Sequence, residues 1–285
     1  MSVDTFIPTI WSARLLMHLD NALVAQFFYN KDYEGDISDY GDTVKINQVG
    51  AIEIFDYVRN QDMQRPQELD TGAQELIIDQ AKAFNFQIDD VDAVQMRAPL
   101  MDSAMQRSAF TLAETLDTFL FGRLDAAMIP ENIAEVSIST PAEMYEALIQ
   151  LRTILTRQNV PMAGRRAAMS PEAIALLLKD DRFVATGGTM AESLLVNGSL
   201  GRAAGFDIFE ANTTPSGEKT VGTDEVPFQT VIAGHQLAST FAAQILKTEA
   251  YRMEARFADG VKGLHVYGAK VLVPEAIAKA EIVFA

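Results

Sequence analysis

Residues 60–72, NQDMQRPQELDTG, offer a hydrophobic core almost nothing, and they stand between two stretches that read as β-strand. Before them, residues 43–57 are rich in β-branched and aromatic side chains, with Gly50 as a bend. After them, Phe84, Phe86 and Ile88 alternate with Asn85, Gln87 and Asp89, the pattern of a strand with one apolar face. A structureless connection of this size is unusual inside a compact domain. The pattern therefore predicts a long hairpin whose polar tip leaves the domain and rests on something else.

Helical periodicity flanks this hairpin. Trp11, Leu15, Leu19, Ala22, Leu23 and Phe27 share one helical face, which predicts a helix over 11–28, ended by the acidic run 30–42. Asp89, Asp90 and Asp92 mark the junction to a second pattern: Met101, Met105, Ser108, Leu112, Leu116 and Phe119. Pro99 and Gly122 bound it, and Asp102 lies in the first turn where the helix dipole favours an acid. A helix over 102–121 would be about 30 Å long and could span the molecule.

The second half mixes short helices and strands. Thr140-Pro141-Ala142-Glu143 is a capping box with proline at the first helical position, followed by Leu148, Leu151 and Leu155 on one face, and Pro161 closes the helix. Residues 165–169 read as strand, and Ser170-Pro171 caps a helix through Leu178. Thr189-Met190-Ala191-Glu192 opens another helix, ended by Gly198. Strands are expected at 206–210, 229–233 and 264–273, a turn-rich loop at 212–222 and a short helix at 237–244. Tyr251, Met253, Ala255 and Phe257 alternate with charged residues, and 258–263 read as the turn that follows. This irregular mixture indicates an α+β fold without internal repeats.

Composition narrows the function. The 285 residues carry 39 Asp plus Glu against 23 Lys plus Arg, a net charge of −16. Residues 1–130 hold −12 of that and residues 131–285 hold −4. A general nucleic-acid binder needs a net basic face, so the acidic balance argues against that class. With no cysteine there is no disulfide framework, thiolate metal site or thiol nucleophile. No apolar run reaches a membrane-spanning length of about 18 residues. The start, MSVDTFIPTIWSARLL, lacks a basic region followed by an apolar stretch. A soluble, cytosolic, globular protein is expected.

No cluster of side chains assembles a catalytic site. His18, His235 and His265 lie far apart without metal-ligand spacing and read as structural or surface histidines. Asp89, Asp90 and Asp92 lack the glycine and glutamate frame of a calcium loop. Gly187-Gly188 and Gly201 to Gly205 match no phosphate-binding fingerprint and read as turns. Ser170 is a helix cap, not a nucleophile elbow. Arg165-Arg166 and Arg202 are open between a phosphate contact and a solvated or ion-paired face. Catalytic, cofactor-binding and metal residues are accordingly expected to be none, and the protein is expected not to be an enzyme.

The order of segments resembles the major capsid protein of tailed bacteriophages. This family has the Hong-Kong-97-type fold, and the similarity extends to smaller relatives of the coat protein of the short-tailed Salmonella phage. Phe6-Ile7-Pro8-Thr9-Ile10-Trp11-Ser12-Ala13 resembles the N-terminal arm, and Gly41-Asp42-Thr43-Val44-Lys45-Ile46 the entry to the extended E-loop. Residues 84–92 resemble its return arm, leading into the spine helix. Asn197-Gly198-Ser199-Leu200-Gly201-Arg202-Ala203-Ala204-Gly205-Phe206-Asp207-Ile208, with Asn212, resembles a segment near the axial domain. Glu249-Ala250-Tyr251-Arg252, Phe257-Ala258-Asp259-Gly260, Tyr267-Gly268-Ala269-Lys270-Val271 and Pro274 resemble the closing hairpin.

The resemblance implies an arm at 1–42, an E-loop hairpin at 43–92, and a spine helix with the first part of a peripheral domain at 93–180. It implies an axial domain at 181–245 and a return hairpin at 246–285. It further implies a subunit that builds the hexamers and pentamers of an icosahedral shell around double-stranded DNA, in the host bacterial cytoplasm. Portal, scaffolding and decoration proteins are the partners implied. The chain begins at the arm without a helical extension, which implies a separate scaffolding protein or none, and leaves no room for an inserted telokin-like domain. Lys45 and Lys82 lie on the E-loop arms, but no acceptor Asn or assisting Glu for a Lys–Asn cross-link is identifiable. Two alternatives stay open: an encapsulin-like compartment shell, told apart by a cargo protein with a docking peptide, and an acidic enzyme, told apart by a small discrete oligomer.

Overall fold

The computed structural model describes residues 23–32, 43–49, 71–89, 100–180, 201–221 and 224–284, together with Ile54, Asp56 and Arg59. Its longest element is helix α1 (Leu100–Ala126), 27 residues and about 40 Å. Met105, Ala109, Leu112, Ala113, Leu116, Leu120, Phe121 and Leu124 are buried along one stripe. The helix passes straight through Gly122, where the sequence predicted its end. The apolar stripe continues to Leu124, and a Cβ at Gly122 would meet nothing within 4 Å. Packing outweighs the local preference of one glycine.

Beside α1 lies a three-stranded antiparallel sheet of β3 (Gln80–Asp89), β10 (Ser239–Arg252) and β11 (Ala258–Val271), in the order β10-β11-β3. Val261 packs with Met105 and Ala109 of the helix, flanked by Phe84 and Phe86. Tyr267 meets Phe119 edge to face at 5.2 Å. The opposite face of β11 carries Leu264 and Val266. It is covered by Val44, Ile46, Leu76 and Ile78 from a hairpin, β1 (Thr43–Val49) and β2 (Thr71–Ile77), and from the residue after it.

This pairing corrects the sequence reading in several places. The strand facing β1 is β2, with Thr43 opposite Ile77 and Val49 opposite Thr71. Residues 84–88 do form a strand, but β3 pairs with β11, Phe84 opposite Gly263 and Phe86 opposite Val261. Phe84 and Phe86 turn towards α1, so they serve the central layer and not the hairpin. Residues 237–244 are not a helix: a 3-10 turn, Gln236–Ala238, leads directly into β10. The chain reverses at 253–257, while 258–263, expected as the turn, are strand. Pairing with both β10 and β3 there prevails over the turn signal of Asp259-Gly260.

A second sheet holds seven strands: β4 (Ile133–Ile138), β12 (Ile277–Phe284), β9 (Asp224–His235), β5 (Arg165–Met169), β7 (Phe206–Glu210) and β6 (Arg202–Ala203) in that order, with β8 (Ser216–Val221) also on β9. The β4–β12 and β5–β7 pairs are parallel and the others antiparallel. Strand β8 lies in the segment expected as a loop, while β4 and β12 fall where no element was expected. Helices α2 (Pro141–Arg157) and α3 (Pro171–Leu178) pack on this layer. Their starts are as predicted. Glu143 Oε2 accepts from the Thr140 N–H at 2.9 Å, and Ser170 Oγ accepts from Ala173 N–H at 3.4 Å. The helix expected from Thr189 to Gly198 lies outside the described residues, as does most of that expected over 11–28. Of the latter, Ala25–Phe28 is a 3-10 turn.

Residues 23–32 are bound to both layers. Asp117, on the buried side of α1 and 4 % exposed, accepts from Val24 N–H and Ala25 N–H, each at 3.0 Å. It thereby caps the 3-10 turn from another element. The Tyr29 hydroxyl donates to the Leu120 carbonyl at 2.7 Å. Asn30 N–H donates to Ser239 O at 2.8 Å, and Phe241 N–H donates to Asn30 O at 3.0 Å.

Burial pushes Asp117 up to about 6, against the two N–H bonds that hold it down. The folded state therefore keeps the proton to a higher pH than the unfolded chain, whose carboxyl titrates near 3.8. Stability falls as pH rises from about 4 to about 6, by about 3 kcal/mol for this group. Thermal unfolding across this range should show that slope, and Asp117→Asn should flatten it. Asp117→Ala should destabilise at every pH, since each buried donor left unpaired costs about 1–3 kcal/mol.

Candidate assembly surface

The β1–β2 hairpin is the part of the fold least able to sustain itself. Its inward side chains, Val44, Ile46 and Leu76, join a small cluster with Ile78, Ala242 and Val266. Its outward side carries Thr43, Lys45, Glu75 and Ile77, all exposed, with Lys45 and Glu75 opposite each other. Gln74 Nε2 donates to the Leu272 carbonyl at 3.3 Å and ties the base to the sheet. Residues 50–70 connect the two arms, and Ile54 there is 96 % exposed.

Other apolar side chains are also left out of the core. Phe110, on the outer face of α1, is 63 % exposed, and Phe257, at the β10–β11 turn, is 80 % exposed. Among the described residues strand β3 is an edge of the three-stranded sheet with Lys82, Asn85 and Gln87 exposed, polar groups that discourage indiscriminate strand pairing.

The residues weighed for chemistry are structural where they are described. His235 Nε2 donates to Ala163 O at 3.0 Å and its Nδ1 accepts from Leu237 N–H at 3.1 Å, so both nitrogens are occupied. His265 is buried on the α1 side of β11, and burial pulls it down to about 4, so it is neutral near pH 7. His18, Asp90, Asp92 and Gly187-Gly188 lie outside the described residues. Asp89 is the last residue of β3, paired with Ala258. Within Gly201 to Gly205 the tight turn is Ala204-Gly205, which joins β6 to β7, and Gly201 stands just before β6, all three with positive φ. Ser170 donates to Gln229 Oε1 as well as capping α3. Arg165 is buried, contrary to the solvated alternative, whereas Arg166 reaches the Phe27 carbonyl. Arg202 makes a 3.6 Å pair with Asp207. Lys45 and Lys82 are exposed on β1 and β3. Among the described residues no group of three or more His, Asp or Glu side chains could hold a metal. Asp117 is the residue that sequence reasoning passed over. Its one signal is an acid inside the apolar stripe of α1, between Leu116 and Leu120.

Among the described residues the geometry presents exposed apolar and polar surfaces that can serve as contacts. The sequence profile of the family described as phage capsid protein matches residues 73–280. The chain belongs to that family. A chain from the structure of Mycobacterium phage Che8 superposes with a TM-score of 0.69 at 26 % identity, covering 92 % of this chain and 90 % of that one. The capsid of the cyanophage P-SCSP1u gives 0.67 at 16 % identity, covering 87 % and 85 %. The virus-like particle from Pyrococcus furiosus gives 0.56 at 12 %, covering 94 % and 96 %. No curated protein sequence matches. The fold is of the Hong-Kong-97 type, α+β, and the protein is a shell-forming major capsid protein of the virion. The encapsulin-like alternative is not favoured, because the family profile and the higher-scoring structures belong to phages.

The capsid protein holds its hairpin by a close backbone approach at Gly268. A Cβ there would come within 3.0 Å of Ile78 Cα and closer still to the Ile77 carbonyl oxygen. Gly268→Ala should therefore lift the hairpin base and make β1–β2 cleavable by protease while the α1 core persists. Gly122→Ala should raise stability by about 0.5–1 kcal/mol, the gain of alanine over glycine inside a helix. Limited proteolysis and thermal melts check the pair.

Proposed function

We propose that this capsid protein assembles as hexamers and pentamers into an icosahedral shell enclosing the double-stranded DNA of a tailed bacteriophage. In this reading 1–42 is the arm, 43–92 the E-loop segment, whose hairpin is β1–β2 and whose residues 80–89 return as β3 of the central sheet, 93–180 the spine and first peripheral part, 181–245 the axial part and 246–285 the return, with the seven-stranded sheet drawing on the last three. The observation that carries it is the hairpin: two arms fixed at their base by a small apolar cluster, continuing into a polar segment without a core of its own. Such a segment gains its stability from neighbours, and large obligate interfaces follow. Repeated heterologous contacts close into a shell when their rotations permit. Assembly takes place in the host cytoplasm, with a separate scaffolding protein or none, and a portal protein joins the shell, with or without a decoration protein.

Negative-stain microscopy and sedimentation should show particles far above 31.3 kDa, with a scaffolding protein co-expressed where needed. A chain that stays monomeric at high concentration with scaffold refutes the proposal. Because Thr71 and Gly72 belong to β2, the tip to delete is 60–70. That deletion should leave circular dichroism unchanged and reduce particle yield.

The acidic charge has a place in the same proposal. Residues 1–130 carry −12, part of it on the inner wall and at contacts, where it keeps DNA from adhering. Like charges repel within about 8–10 Å at physiological ionic strength. Moderate salt should therefore raise assembly yield in light scattering, and empty shells should retain little duplex DNA even at low salt. Tight DNA retention, or assembly that collapses as salt rises, refutes this placement.

A further inference from the structure

Three arginines converge on a small pocket at the β6–β7 end of the seven-stranded sheet. The pocket, about 200 Å³, is lined by Arg152 of α2, Arg165 of β5, Arg202 of β6, Met162, Ala204 and Gly205. Arg165 is 2 % exposed. Its Nε donates to Pro161 O at 2.9 Å, and its Nη2 donates to Val160 O at 2.6 Å. Its Nη1 donates to Arg152 O at 3.3 Å and to Thr156 Oγ1 at 3.0 Å. These bonds tie down the end of α2, yet every acceptor is neutral. The charge itself is unmatched.

The neighbours do not match it either. Arg152 is exposed, and among the described residues no carboxylate pairs with it. Gly205, at φ +91°, lets the Arg152 guanidinium rest near the turn, 3.9 Å from where a Cβ would stand. Arg202 has Asp207 at 3.6 Å, an exposed pair of little strength. Three guanidinium groups thus share one weak carboxylate in a chain of net charge −16. Packing α2 against the sheet requires Arg165 as a donor, but it does not require Arg152 and Arg202 beside it. Like charges gathered around a concave site make it an anion site.

We infer that this pocket is a socket for a carboxylate side chain of a second copy of the capsid protein. The pocket lies where the sheet ends, since β6 is the terminal strand. Each neighbouring copy brings 39 carboxylates, and packing copies of net charge −16 together needs local neutralisation. A duplex footprint, by contrast, uses a row of about 6–10 phosphate contacts. The inference rests on the shell-forming function and deepens it by assigning one contact.

The test compares assembly by full-length wild type, the reversed pair Arg152→Glu with Arg202→Glu, the neutral pair Arg152→Gln with Arg202→Gln, and Arg157→Glu as a charge control on α2. Both paired variants should keep the wild-type circular dichroism midpoint to within a few degrees. The reversed pair should lose assembled yield by about tenfold or more, as loss of a charge-assisted contact at each interface implies. The neutral pair should lose less and Arg157→Glu little. If the reversed pair unfolds, the neutral pair decides. Wild-type yield in a folded paired variant overturns the socket and leaves the shell-forming function standing. Failure of the wild type to assemble overturns that function, and the second-copy occupant with it. Duplex DNA retained by unassembled wild type and lost in the reversed pair, with assembly intact, overturns the carboxylate in favour of phosphate.

Discussion

Strand β11 is covered on both faces, and the rest of the subunit is arranged around that fact. Val261 and Tyr267 point to α1, while Leu264 and Val266 point to the hairpin, so alternate residues serve different layers. At Gly268 the backbone of the hairpin approaches too closely for any side chain. Between Gly263 and Ala269, where no residue of β11 is exposed, the strand cannot slip by one residue without burying the wrong set twice over. Its antiparallel pairing with β10 and β3 is thereby fixed, and with it the positions of α1 and of the hairpin base.

The same layering explains why α1 is long. Its first half faces β3 and β11 through Met105 and Ala109. Its second half enters the large core with α2, α3 and the seven-stranded sheet through Leu116, Leu120 and Leu124. Near its end, Asp125 accepts from Lys279 of β12 at 2.7 Å, and Lys279 also pairs with Glu281 at 3.1 Å. Lys219 of β8 bonds Glu281 at 3.1 Å and Glu135 of β4 at 2.5 Å. Three strands of the sheet and the spanning helix are cross-tied at that corner; salt screens the Lys279 and Glu281 charges weakly because they are largely buried, and the exposed Glu135 link more.

Local signals were legible in the sequence and long-range ones were not. The caps at Thr140 and Ser170 act within four residues, and both helices start where the sequence placed them. The alternation of Phe84 and Phe86 correctly marked a strand, but the partner lies about 180 residues away in β11, and no local pattern encodes that choice. Gly122 was read as a helix end because a glycine breaks helices in isolation, whereas Leu124 beyond it is buried and extends the stripe. At the candidate contact sites the same division holds. The polar run 60–70 was visible as a segment without a core. The convergence of Arg152, Arg165 and Arg202 was not, because it needs α2, β5 and β6 to meet. Asp117 was hidden for the same reason: its partners, Val24 and Ala25, are more than 90 residues away.

Stability is therefore graded across the subunit in a way that suits a shell. The main cluster joins α1, α2, α3 and the large sheet, whereas the hairpin rests on Val44, Ile46, Leu76 and Ile78 against a few residues of β10 and β11. Elements with few buried apolar contacts open at lower free energy than the core. A hairpin of this kind can be placed after the rest of the subunit has folded. Residues 23–32 are the counterpart at the other end of the described chain. Their backbone is pinned to Asp117, Leu120 and Ser239, so whatever precedes residue 23 departs from a fixed point. A rigid centre with one weakly held hairpin and one firmly anchored segment at 23–32 is a subunit in which adjustment between copies at differing angles, which a closed shell of identical subunits requires, can fall on the hairpin.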